Sequence, residues 1–342
     1  MKVTHESSVE VYKRLLKSVK PAYEVPMKRY NLSSYAIDGK NVVAIVRTED
    51  RKDGIRDAIK LLGGLKPLIK GINGKVVIKP NCNTDDPFPR NTDAETIGII
   101  AECLIMGGIP AEHIIVGDMS GRYRGLPTRN TMKNMGIIEL TEELGIQTAY
   151  FEDEDWVTLR HPLAKKWTNG IKIPKSIYEA ERIIFTPILR PHEDATFSMC
   201  MKLGVGLMDV EGRELLHNGE FFYEKLAEFN LAFPVDLCIV DGLSCFIDSG
   251  PEFTKMVNPG IIIVGNNRVA TDAIAVSIMK QLGAYGISDK PVLENEQFIW
   301  ASKLDLGKPI FSEINLKYSN LTDDPNFEQI ISKIKDDLTS NQ

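Results

Sequence analysis

The sequence predicts an α/β fold: a mostly parallel sheet with helices on both faces, in two α/β lobes with a cleft at the strand carboxyl ends. Three observations carry that prediction. Five short runs are nearly continuous in apolar, Val- and Ile-rich residues: VVIKPN (76–81), IIVGDMSG (114–121), IIFTPILRPH (183–192), LCIVDG (237–242) and IIIVGNNR (261–268). Such runs mark strands buried on both faces, as in a parallel sheet. Segments of helical periodicity alternate with them, as βαβ units require. Each run stops abruptly in polar residues, and in such sheets ligands bind beyond the carboxyl ends of the strands.

The elements follow in chain order. Residues 8–19 put Val9, Tyr12, Leu15, Leu16 and Val19 at helical spacing after Ser7 and Ser8. NVVAIVR (41–47) reads as a strand, and 54–62 as a helix stopped by Gly63-Gly64. A strand at 75–80 leads through a Pro- and Asp-rich loop into a helix at 93–106, which Gly107-Gly108 ends. After the strand at Ile114 come a Gly- and Arg-rich loop, a helix over 131–144 and a strand at 147–151. Residues 152–174, charged and bearing two Trp, read as either a β-hairpin insertion or an irregular lid. Residues 199–208 and 221–229 read as helices, and the strands at 237 and 261 flank a Gly- and Pro-bearing loop. A helix over 269–282 follows, and Phe327, Ile330, Ile331, Ile334 and Leu338 form one face of a last helix. The expected division is a helical extension at 1–40, a first lobe at 41–194, a second at 195–320 and a C-terminal helix at 321–342.

Composition narrows the function classes. A net charge of −6 and a pI near 5.6 argue against a nucleic-acid partner, whose surface is normally basic. No apolar run approaches the ~18 residues that span a bilayer, and the N-terminus does not read as a secretory signal. The five cysteines, at 82, 103, 200, 238 and 245, lack cluster spacing and read as unpaired thiols in a cytoplasmic protein. There is no HExxH, no CxxC, no GxGxxG after a strand and no P-loop.

The strand ends supply the candidate residues. Lys79 and Asn81 offer a cation and an amide to a carboxylate or phosphate, and Arg190 adds a second cation. Ser120, in the GDMSG turn, and Asn267 complete the expected substrate-binding set. Four residues are expected to act in catalysis: His192, Lys202, Asp118 and Asp241. His192 titrates near neutrality when unperturbed. Lys202 sits among Met199, Met201, Leu203 and Val205, and a desolvated lysine serves as base or nucleophile. Asp118 and Asp241 would orient the proton carriers or hold a divalent metal, for which His192 and His217 are the candidate nitrogen ligands. Asp272, in the first turn of its helix, reads as a favourable helix-dipole residue.

One ordered set of motifs resembles the Domain of Unknown Function 362 family: IKPN (78–81), GDMSG (117–121), RPHEDATFSMCMKLGVGL (190–207), RELLH (213–217), VDGL with DSGP (240–251) and NNRVATDAIAV, ending at Val276. The resemblance covers about residues 40–285 and implies an α/β fold with a shared core site. Many relatives carry a ferredoxin-like tail with iron–sulfur clusters, whereas this chain has no CxxCxxC, so no iron–sulfur cluster is expected. It also places Leu203 where relatives commonly have Asn.

The leading expectation is an intracellular enzyme that acts on a small anionic substrate by acid–base chemistry, with a divalent metal as the one cofactor considered. Two alternatives stand beside it: a redox-associated protein that partners an iron–sulfur protein, and a non-catalytic ligand-binding protein. No nucleic-acid or membrane partner is expected.

Overall fold

The computed structural model describes residues 7–28, 35–249 and 254–339. The first six residues of the expected N-terminal extension, and Gly250 and Pro251 of the DSGP motif, lie outside them. The chain forms two compact units, each drawn from three stretches. The first takes residues 1–30, 71–184 and 203–234, the second 31–70, 185–202 and 235–342. Within the units the architecture is α/β, with mostly parallel strand pairing in the first and both parallel and antiparallel pairing in the second.

In the first unit Val76–Pro80, Ile114–Asp118 and Gln147–Tyr150 pair in parallel, with Val76 level with Ile114 and Asp118 level with Tyr150. That register brings Lys79 and Asp118 to the same edge. Asp93 caps the helix Ala94–Met106 by accepting the Glu95 N–H, the cap chemistry its position suggests. The helix expected over 131–144 is two, Thr128–Asn134 and Ile137–Leu144. They part at Gly136, whose φ of 75° suits a residue without a Cβ. Of the two readings of 152–174, the hairpin is the one formed: Trp156–Leu159 runs antiparallel to Ile171–Pro174, and Ala22–Glu24 joins it in parallel.

In the second unit Asn41–Arg47 lies between Ile314–Asn320, parallel to it, and Ile261–Gly265, antiparallel. Leu237–Gly242 then pairs antiparallel with Ile261–Gly265. Val42 to Val46 and Ile262 to Val264 are all fully buried. Successive strand side chains point to opposite faces, so both faces of this sheet are covered. The helices Arg51–Leu62 and Arg268–Gln281 pack on it. The strand Ile314–Asn320 and the helix Glu296–Lys303 were not read from the sequence. Among the described residues no helix is long and apolar enough to cross a membrane.

The antiparallel strand corrects one expectation. Cys238 stands opposite Gly265 and Gly242 opposite Ile261, so the two strands end at opposite edges of the unit. Asn267 therefore leaves its strand at the edge away from Asp241. The five strand ends do not share one rim.

Candidate functional site

In the first unit the strand ends build a buried polar knot. Lys79 Nζ lies 2.8 Å from Asp118 Oδ1, with the two side chains 1% and 3% exposed, and it donates to the Pro80 carbonyl at 2.8 Å. Asp118 Oδ1 also accepts the Met119 N–H and Oδ2 the Cys82 N–H, both at 2.8 Å. Lys79 was expected to present its charge to a ligand and Asp118 to orient the proton carriers or hold a metal. Each is instead turned to the other, because the parallel register sets the two strand ends side by side. The pair fixes the first residues of two loops. Burial, and then the Asp118 charge, push the Cys82 thiol well above its ordinary range.

Around this pair the loops interlock. Asn81 exchanges backbone contacts with Thr92: its N–H donates to the Thr92 Oγ1 at 2.8 Å and its carbonyl accepts the Thr92 N–H. The Ser120 N–H donates to Thr128 Oγ1 at 2.8 Å, while the buried Ser120 Oγ has no hydrogen-bond partner. Arg213, buried to 6% exposure, donates to the carbonyls of Ser120 and Met119 at 2.6 and 2.5 Å. Glu152 accepts the Thr128 N–H and hydroxyl at 2.6 and 2.8 Å, which caps a helix from outside, and its burial raises its pKa. His217 Nδ1 lies 2.9 Å from the Arg213 carbonyl. A carbonyl only accepts, so that nitrogen carries the proton.

Gly206, from the KLGVGL motif, closes the knot. A Cβ there would overlap Asp118 Oδ1 and stand 2.5 Å from Lys79 Nζ. Gly206→Ala is therefore expected to destabilise by about 1–3 kcal/mol through overpacking, read as a lowered urea midpoint. An unchanged midpoint would mean that the pair is not packed against this glycine.

The second unit holds the remaining candidates. Asp241, fully buried, accepts Arg51 Nε at 2.7 Å through Oδ2 and the Leu243 N–H at 3.1 Å through Oδ1. Its charge is thus matched within the unit rather than offered to a proton carrier. Asn267 is a helix cap: Oδ1 accepts from Val269 and Ala270 at 2.9 and 3.0 Å, and Nδ2 donates to Leu306.

The helix expected over 199–208 is shorter, and a hairpin precedes it. Pro191–His192 and Thr196–Phe197 form a tight antiparallel hairpin, and the helix is only Cys200–Leu203, continued by a 3-10 turn over Gly204–Leu207. Lys202 is therefore the third residue of a four-residue helix, and it is 9% exposed. Thr196 has a φ of +66°, a conformation that a β-branched residue rarely adopts. His192 Nδ1 accepts the N–H groups of Asp194 and Ala195 at 3.2 and 3.3 Å.

Asp272 supports this segment. Its carboxylate accepts the Cys200 and Met201 N–H groups at 2.7 and 2.8 Å, so it anchors the start of the helix that carries Lys202. The sequence suggested only a dipole role within its own helix. The Cys200 thiol touches both Asp272 and Cys238. All five cysteines are free thiols.

Three side chains, two of them buried, escaped the sequence reading. Arg213 lies inside the quoted RELLH motif but was passed over for His217, Arg51 opens a helix, and Gln297 sits in a helix that was not read. Among the described residues, no group of three or more His, Cys, Asp or Glu side chains is placed to hold a metal ion.

No curated protein matches the chain. Among solved structures, the lactate racemase apoprotein from Thermoanaerobacterium thermosaccharolyticum is similar at 14% identity and a TM-score of 0.41, over 72% of this chain and 58% of that one. The family model described as a domain of unknown function, DUF362, matches residues 76–277. That span runs from the strand bearing Lys79 to the helix bearing Asp272, more than half of the chain, and the protein belongs to the DUF362 family.

Proposed function

We propose that this protein is an enzyme that acts on a small anionic substrate, a carboxylate or phosphate, by acid–base chemistry at the Arg190–Lys202 segment. The observation that carries the reading is the left-handed Thr196 in the hairpin of His192. A strained backbone persists only where its surroundings over-determine it, and such residues cluster at functional sites. Lys79 and Asp241 are matched by Asp118 and Arg51. Arg190, His192 and Lys202 lie close along the chain, at this hairpin and on the short helix after it, and are the groups assigned to holding and working on an anion. Arg190 supplies a fork of donors suited to planar oxyanions. Lys202 is desolvated and fixed through Asp272, as a proton-transfer group should be.

A thermal-shift series with inorganic phosphate and short mono- and dicarboxylates tests this. A ligand that binds only the native state at a hundred times its Kd stabilises by about 2.7 kcal/mol. At least one anion is expected to raise the Tm of the wild type, and Arg190→Gln to abolish that rise. An equal rise in both proteins, or no rise with any anion, would contradict the reading.

A further inference from the structure

We infer that Gln297 is a positioning residue that fixes His192 as a neutral imidazole with its proton on Nε2, a hydrogen-bond donor rather than a base. Gln297 is 1% exposed on the helix Glu296–Lys303, and its Nε2 donates to the Ala195 and Phe197 carbonyls at 2.7 and 2.9 Å. These carbonyls flank Thr196, so one side-chain amide grips the left-handed residue from both sides. The next residue, Phe298, packs its ring 5.3 Å from that of Phe197 and seats the same hairpin strand.

The grip reaches His192 through the turn. With Thr196 held, the Asp194 and Ala195 amides converge on the His192 Nδ1. Two donors on one nitrogen require its lone pair, so Nδ1 is the acceptor and the ring proton belongs on Nε2. Gln297 itself is oriented without ambiguity. Its NH2 must face the two carbonyls, and its buried Oε1 has no hydrogen-bond partner. Such an unsatisfied oxygen is tolerated only where the donors on the same amide are needed.

This assignment rests on the proposed function only for its consequence: toward an anionic substrate, His192 would donate from Nε2 and stabilise negative charge on oxygen. The tautomer itself is measurable without any ligand. In protein labelled with 15N at histidine, the neutral His192 ring is expected to show two well-separated nitrogen resonances, with the proton on Nε2. Gln297→Leu is expected to collapse them towards an averaged pair. Adding Thr196→Gly, which accepts the positive φ without strain, should restore the separation, including where Gln297→Leu alone folds poorly. A wild-type ring protonated on Nδ1, or charged at neutral pH, would overturn the inference. So would a folded Gln297→Leu protein with an unchanged tautomer. Failure of anion binding with the Nε2–H tautomer intact would sink the proposed function and leave this inference standing.

Discussion

Replacing Lys79 with Met is expected to cost about 3–5 kcal/mol of folding stability, because it strands the Asp118 carboxylate in the interior. The two side chains are 1% and 3% exposed and 2.8 Å apart, so neither solvent nor salt screens the loss. The carboxylate would keep its two backbone donors, Cys82 and Met119, but lose its countercharge. Lys79→Met combined with Asp118→Asn should therefore be less destabilised than Lys79→Met alone, since no charge is left buried. Urea denaturation of the two variants measures this coupling. A loss below about 1 kcal/mol for Lys79→Met would place the pair with exposed ion pairs, which contribute that little.

The second large effect is a pH dependence centred on Asp272. Burial pushes its carboxyl up to about 6, against the hydrogen bonds of Cys200 and Met201 and the charge of Arg268, which pull it down. An unfolded aspartate titrates near ~3.9, so between the two values the folded state holds a proton that the unfolded state has released. The stabilising contribution of this group is therefore fully present below ~pH 4 and is lost as the pH rises through about 6. At about 1.36 kcal/mol per unit of pKa difference, the loss is on the order of 3 kcal/mol. Asp272→Asn removes the titration. The stability of wild type relative to this variant should fall by about 2–3 kcal/mol between ~pH 4 and ~pH 7 and then level off. Glu152 and Asp209 are also raised by burial, but they are common to both proteins and cancel in the difference. A difference that stays flat across this range would show that Asp272 keeps an ordinary pKa.

What was legible in the sequence follows from local pattern. The apolar runs became strands because burial on both faces leaves a continuous signature, as in Val42 to Val46. Direction leaves none, and IIIVG reads the same whether its neighbours run parallel or antiparallel. Asn267 was therefore assigned to the wrong edge, although its cap chemistry lies in plain view before Val269 and Ala270. Ile314–Asn320 was missed because its burial is partial and its residues alternate with polar ones.

The site shows the same limit. Lys79 and Asp118 were each picked out singly, but their pairing depends on the register of two strands that no local pattern encodes. Nothing local in the sequence marked a hairpin after Arg190, where only a helix over 199–208 was read. The chain instead turns back at Thr196, and the side chain that holds it there comes from Gln297, about a hundred residues further on. A long-range clamp of this kind overrides local preference without marking it.

The most direct measurement of the central claim is an NMR titration of the 15N-labelled protein with inorganic phosphate and the same carboxylates, following backbone amides. Expected are saturable shifts concentrated at Arg190, His192, Asp194 to Thr196 and Lys202, which vanish in Arg190→Gln. Shifts confined to the arginine-bearing loop around Arg122 and Arg124, with the His192 hairpin unmoved, would contradict it.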